Sequence, residues 1–344
     1  MPKTSFEPTV TCKRTTLHGP TMGTRWSVSV DFYAGLDLAA LHQDLAAAVK
    51  LVDQQMSPWK PDSDLMHLNR APLHTWVDLP AELLAVLACA LDIHRLSAGA
   101  FDPGVGALVD AWGFGAVRDA PDTAAIHVAR QSARRPTCEA LTLEPVVGRA
   151  RKHAPLQLDL CGIAKGYAVD RMAAVLQQHG VRHALAALDG ELRAVGSQAN
   201  GEPWAVAVER PEPGSRAVHG VIELQDLAVA TSGDYRHYLQ VDSARLAHTM
   251  DGRRAAPVNN TVASVTVLAS SCMHADAWAT AMLVAGPDEG LGLAQRMGLE
   301  ALFLLRRGEG LVEMGLGRFG ESAAQSSLAC HTNEAAKQPT VANA

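Results

Sequence analysis

Apolar positions recur along the chain in two rhythms, which divide it into strands and helices. Alternating or short apolar runs predict strands at 26–32 (WSVSVDF), 140–147, 156–160, 184–188, 192–195, 204–209, 218–224, 227–231, 238–241, 246–250, 262–269, 302–306 and 311–314. Helical spacing predicts helices at 37–56, 80–97, 122–133, 164–178, 271–285 and 288–297. In the first helix, Leu41, Leu45, Ala48, Val49 and Val52 share one face, and Asp37 is placed to cap it. Residues 57–69 read as a loop with a short helical turn.

Strands outnumber helices and mostly follow one another, which favours an α+β fold with antiparallel sheet over a doubly wound parallel one. The expected organisation is a flexible 1–15, a single domain over 16–317 and a disordered tail over 318–344. Arg149, Arg151 and Lys152 read as a basic turn between two strands.

The stretch 156–170, LQLDLCGIAKGYAVD, organises the rest. It reads as strand, glycine turn at Gly162, then helix, with Gly180 as the C-terminal stop. A helix start after a glycine turn presents free N–H groups and a positive dipole end, and Lys165 adds a cation. That suits a phosphate. A plain strand-to-helix connection with a surface lysine accounts for the same residues.

The totals exclude several classes. With 344 residues the chain can bury a full core. A net charge of -6 and the lack of any basic run argue against a nucleic-acid binder. No apolar run is long enough to span a membrane. The six cysteines form no CxxC and no zinc-spaced cluster, so they read as reduced thiols. The first residues lack the apolar core of a signal peptide, and a cytoplasmic location is the expectation.

Several residues carry candidate chemistry. Asp276 and Thr280 are four apart on a predicted helix, so both oxygens lie on one face and suit Mg²⁺ or Ca²⁺. An acidic residue in a first helical turn, with a threonine bonded to its own helix, gives the same pattern. Trp59, between two prolines, is either a lid over a flat ligand or a loop anchor. The glycines of 99–106 force a tight path around Phe101 and Asp102. His248 with Asp251 is either a base with its partner or a surface pair near a turn.

Taken together, LDLCGIAKGYAVD, TSGDY (231–235), HTMDGRRAAP (248–257) and ADAWAT (275–280) resemble the ApbE family of FAD:protein FMN transferases in order and spacing. MGT (22–24), MSPWKPDSDL (56–65), GAFDPGVGALVDAWGF (99–114) and LDGELRAVG (188–196) fit as well. The resemblance runs from about Gly19 to Gly315. It implies a T-fold-like architecture of mixed, mostly antiparallel sheets with flanking helices.

The resemblance also implies roles. Asp276 and Thr280 match the family's Mg²⁺ ligands, with a main-chain oxygen at Gly162. Met22, Trp59, Ala100, Phe101, Asp102, Lys165 and Met250 match flavin-contacting positions, and Asp159 belongs to the same site. His248 and Asp251 fall on the HxxD motif, with the histidine as general base. The implied reaction moves FMN from FAD to a Ser or Thr hydroxyl of a target flavoprotein and releases AMP. Hydrolysis of FAD at the same site, or FAD binding without chemistry, are the competing readings. Two motifs depart from the family's usual form. HxxDPxTGxP here has Gly252 for Pro and Ala255 for Gly, and NLGGD has Asp189 for Gly and Glu191 for Asp.

Overall fold

Eight antiparallel strands, hydrogen-bonded in chain order, form the central sheet of the computed structural model. They are Lys13–Thr21, Thr24–Phe32, Ala184–Leu188, Glu191–Val195, Ala228–Gly233, Val262–Ala269, Glu300–Arg307 and Gly310–Leu316. The structure describes residues 12–117, 120–131, 135–212, 214–241, 244–308 and 310–320. The expected tail lies almost wholly outside them, although its first residues, Arg318 and Phe319, belong to the 3₁₀ turn Gly317–Phe319.

Both faces of the sheet are covered, and side-chain alternation explains how. Ala184, Ala186, Val267 and Phe303 point to one face, where the long helices pack. Leu185, Val229, Leu268, Leu302 and Leu304 point to the other, against the hairpin of Trp204–Glu209 and Val218–Leu224. Helix Cys272–Ala285 is apolar almost all round, because it is enclosed by the sheet and helix Ala164–Gln178. Helix Leu38–Met56 buries the predicted apolar stripe, and Asp37 accepts the Ala39 and Ala40 N–H groups, each at 3.0 Å.

Three sequence expectations give way. First, 156–160 is not a sheet strand. Leu158 and Leu160 are buried in alternation, but the backbone bonds elsewhere. The Asn69 side chain accepts the Leu158 N–H at 2.8 Å and donates to its carbonyl at 2.9 Å. Asp159 N–H goes to Pro103 O, and Gln157 O accepts from Gly106. Second, Arg149–Lys152 is the middle strand of a small sheet with Trp76–Asp78 and Leu141–Glu144, not a turn. Arg149 and Arg151 each lie 4.3 Å from the Trp76 ring centre, which holds two cations within a strand. Third, Lys13–Thr15 belong to the first strand rather than to a flexible end. In addition, Gly106–Ala111 forms a short helix that no sequence expectation covered.

Candidate active site

Two helices and the bend that leads into one of them build the floor of a cavity of about 1490 Å³. Asp276 and Thr280 sit one turn apart on Cys272–Ala285 and both line it. Asp276 is buried and accepts the Gly166 N–H at 3.0 Å from the neighbouring helix. Only glycine permits this approach: a Cβ on Gly166 would lie 2.4 Å from Cys272 O and 2.8 Å from Asp276 Cβ. Thr280 Oγ1 is 3.0 Å from Ser232 Oγ. A Cβ on Gly162 would start 3.0 Å from that same Thr280 oxygen, so the bend lies directly against the threonine.

Charge is concentrated beside this floor. Lys165 Nζ lies 2.9 Å from Glu191 and 3.3 Å from Asp189. Arg236 holds Asp189 at 2.8 Å and also pairs with Glu209. Asp189 occupies the two-residue turn between its strands at φ 56°, a left-handed conformation that Asp tolerates better than most residues. Burial raises the Asp276 carboxyl, and Glu191 adds to it, up to about 8. Burial likewise raises Glu191. Burial alone would lower Lys165, but Glu191, Asp276 and Asp189 outweigh it and hold the ammonium above its ordinary value. Burial opposes ionisation of Asp189, yet Lys165 and Arg236 hold it below the usual range.

These residues fit a hard divalent cation. The donors are a buried carboxylate, a hydroxyl and a main-chain bend, and Glu191 Oε2 is a buried carboxylate oxygen with no hydrogen-bond partner. Among the described residues no three His, Cys, Asp or Glu side chains converge as a metal cluster. Such a site suits Mg²⁺, which takes few protein ligands and completes its shell with water and phosphate.

The remaining walls come from distant segments. Ala100 and Phe101 are buried on the loop after helix Ala81–Leu96, where His94 Nδ1 meets Phe101 O at 2.9 Å. Asp102 lines the cavity, while its Oδ1 accepts from Gly104 N–H at 2.8 Å and Thr137 Oγ1 at 2.6 Å. Asp159 Oδ1 accepts the Cys161 N–H at 2.7 Å and so shapes the bend, and burial raises its carboxyl. Met22 lines the cavity from a left-handed turn, φ 45°. Trp59, also lining the cavity, is 59% exposed, so it does not anchor its loop to the core.

His248 and Met250 also line the cavity. His248 Nδ1 donates to His237 O at 3.0 Å, which leaves Nε2 as the acceptor. The His237 ring meets it edge-on, with centres 5.6 Å apart. Burial, then His237, push the His248 imidazole down to about 4, so it is neutral at neutral pH. Asp251 is not part of the cavity wall. It is buried and accepts the Arg253 N–H and Nε at 2.9 and 3.2 Å, which holds the turn after the short strand Met250–Asp251.

Sequence reasoning missed Ser232, Arg236 and His237, although the first two lie in or beside the TSGDY motif. Asn69 carried no local signal: its role is long-range, with two bonds to Leu158.

Residues 22–303 match the model of the ApbE family. A curated "FAD:protein FMN transferase" of Vibrio cholerae is 35% identical over 306 residues, covering 88% of this chain and 91% of the relative. Its counterpart in Escherichia coli K12 is 30% identical, covering 86% and 85%. The solved flavin transferase ApbE from Vibrio cholerae superposes with a TM-score of 0.81 at 33% identity, over 90% of this chain and 99% of that one. The apo flavinyl transferase ApbE of Pseudomonas stutzeri gives 0.78 at 33% identity, over 90% and 96%.

Proposed function

The chain belongs to the ApbE family, and from that premise we propose that it is an Mg²⁺-dependent FAD:protein FMN transferase. The observation that carries this reading is the convergence of Asp276, Thr280, Gly162, Lys165 and His248 on one large cavity. A dinucleotide needs more room than a drug-sized ligand, whose pockets run to roughly 1,000 Å³.

In this reading the FAD diphosphate lies over the bend at Gly162. Asp276, Thr280 and the Gly162 main chain would hold Mg²⁺, which when bound would supply positive charge to the phosphate oxygens. Ala100, Phe101, Met22 and Trp59 supply apolar surface for the flavin ring. Lys165, pinned by two carboxylates, has little conformational entropy to lose and offsets part of the negative field.

The acceptor Ser or Thr hydroxyl of a target flavoprotein attacks the FMN phosphorus. A new P–O bond forms, the bond to the AMP phosphate oxygen breaks, and AMP leaves. His248 Nε2 takes the hydroxyl proton, since Nδ1–H is committed to His237 O. Asp251 acts at one remove, by fixing the turn that follows His248.

The test is incubation with FAD, Mg²⁺ and a flavoprotein carrying an acceptor Ser or Thr. A fluorescent band on the denatured target, with one AMP per FMN attached, supports the proposal. FMN and AMP appearing at equal rates without any target would make water the nucleophile. Intact FAD after prolonged incubation would leave binding alone.

A further inference from the structure

Among the described residues, Glu191 Oε2 is the buried carboxylate oxygen without a hydrogen-bond partner. The residue is 2% exposed and lines the cavity. Its other oxygen, Oε1, lies 2.9 Å from Lys165 Nζ. Burying an anionic oxygen with nothing to meet it is costly, so the position calls for a partner.

The surroundings point to a cation. Lys165 is shared, since Asp189 takes it at 3.3 Å, and Asp189 has Arg236 as well at 2.8 Å. The lysine's charge is thus divided between two carboxylates, and Oε2 receives none of its bonds. Strand Glu191–Val195 runs against the metal-facing helix, because the Cys272 thiol, one turn before Asp276, reaches Leu192 O at 3.6 Å. Glu191 and Asp276 both line the same cavity.

We propose that Glu191 contributes Oε2 to the coordination shell of the divalent cation held by Asp276, Thr280 and the Gly162 main chain. The inference rests on that cation site. Its ligand class is a hard divalent ion, Mg²⁺ or Mn²⁺, which prefers carboxylate and hydroxyl oxygens.

Mn²⁺ is the probe, titrated into FAD-free protein while the free-ion EPR signal is followed. Glu191→Gln weakens Mn²⁺ binding by about tenfold or more. The loss persists when Lys165→Met is already present, because Glu191 acts on the ion and not through the lysine. Glu191→Asp, which keeps the charge but retracts it, falls between wild type and Glu191→Gln; should the Gln variant fail to fold, this one decides. Wild-type affinity in both variants overturns the inference. So does a loss that vanishes in the Lys165→Met background, which would make Glu191 only the lysine's counter-ion. Asp276→Asn separates the two levels. If it abolishes binding while Glu191→Gln does not, only the Glu191 inference falls. If it too binds Mn²⁺ like wild type, the cation site itself is wrong.

Discussion

Asp276 accepts the main-chain N–H of Gly166 at 3.0 Å, and this bond joins the two helices that frame the site. It fixes the orientation of the carboxylate and ties it to the segment that carries Lys165. The bond depends on a missing side chain, since any Cβ on Gly166 would meet the Cys272 carbonyl at 2.4 Å. Gly166→Ala therefore forces the helices apart. The expected cost is about 1–3 kcal/mol in urea unfolding, together with weaker Mg²⁺ binding. Unchanged stability would mean the helices slide without resistance.

Asp276 also predicts a pH dependence. Its raised carboxyl means that the folded chain holds the proton more tightly than the unfolded one. Without divalent ions, its contribution to stability is lost as pH climbs from the ordinary carboxylate range to about 8. Glu191, raised in the same way, adds to the slope. Thermal melts in EDTA should show falling stability over that window, and Asp276→Asn should flatten it. Because Mg²⁺ binds the ionised form, its affinity should rise with pH up to about 8 and then level off.

His248 gives the opposite signature. Burial and His237 hold it near 4, so it is already a free base well below neutrality. The acid limb of kcat/KM should fall near 4 rather than near the roughly 6.5 of an ordinary histidine. His248→Ala should slow transfer by about 100- to 10,000-fold while FAD binding is retained. An acid limb set by the ordinary value would show that the imidazole is solvated during turnover.

Trp59 lines the cavity and is 59% exposed, so its truncation removes little from the core. Trp59→Ala should change stability by no more than about 0.5 kcal/mol. It should raise KM for FAD and lower the quenching of bound flavin fluorescence. Wild-type KM would remove the tryptophan from the flavin site.

Much of this was legible in the sequence, for identifiable reasons. The helix Leu38–Met56 and the strand Val262–Ala269 have strong periodicity and ordinary caps or flanks, and both formed as read. The stretch 156–160 has the same apolar alternation, yet its hydrogen bonds go to the Asn69 side chain and to the 103–106 loop. Alternation reports burial, and it cannot say which backbone answers. The basic turn read at Arg149–Lys152 misled in the other direction, because Trp76 covers two of its charges from another strand. At the site, motif order located every proposed residue on the cavity except Asp251, whose carboxylate serves the backbone turn. The roles of His237 and Asn69 rest on a main-chain carbonyl and on long-range bonds, which leave no local pattern.

The central claim is that one divalent cation joins Asp276, Thr280 and the bend at Gly162 to the FAD diphosphate. A crystal soaked with FAD and Mn²⁺ tests it through the anomalous signal of manganese. The account predicts a peak bonded to an Asp276 carboxylate oxygen, Thr280 Oγ1 and a main-chain oxygen at Gly162, with a phosphate oxygen completing the contact. Bound FAD with no manganese peak among these three residues, or with its diphosphate at another wall of the cavity, would contradict it.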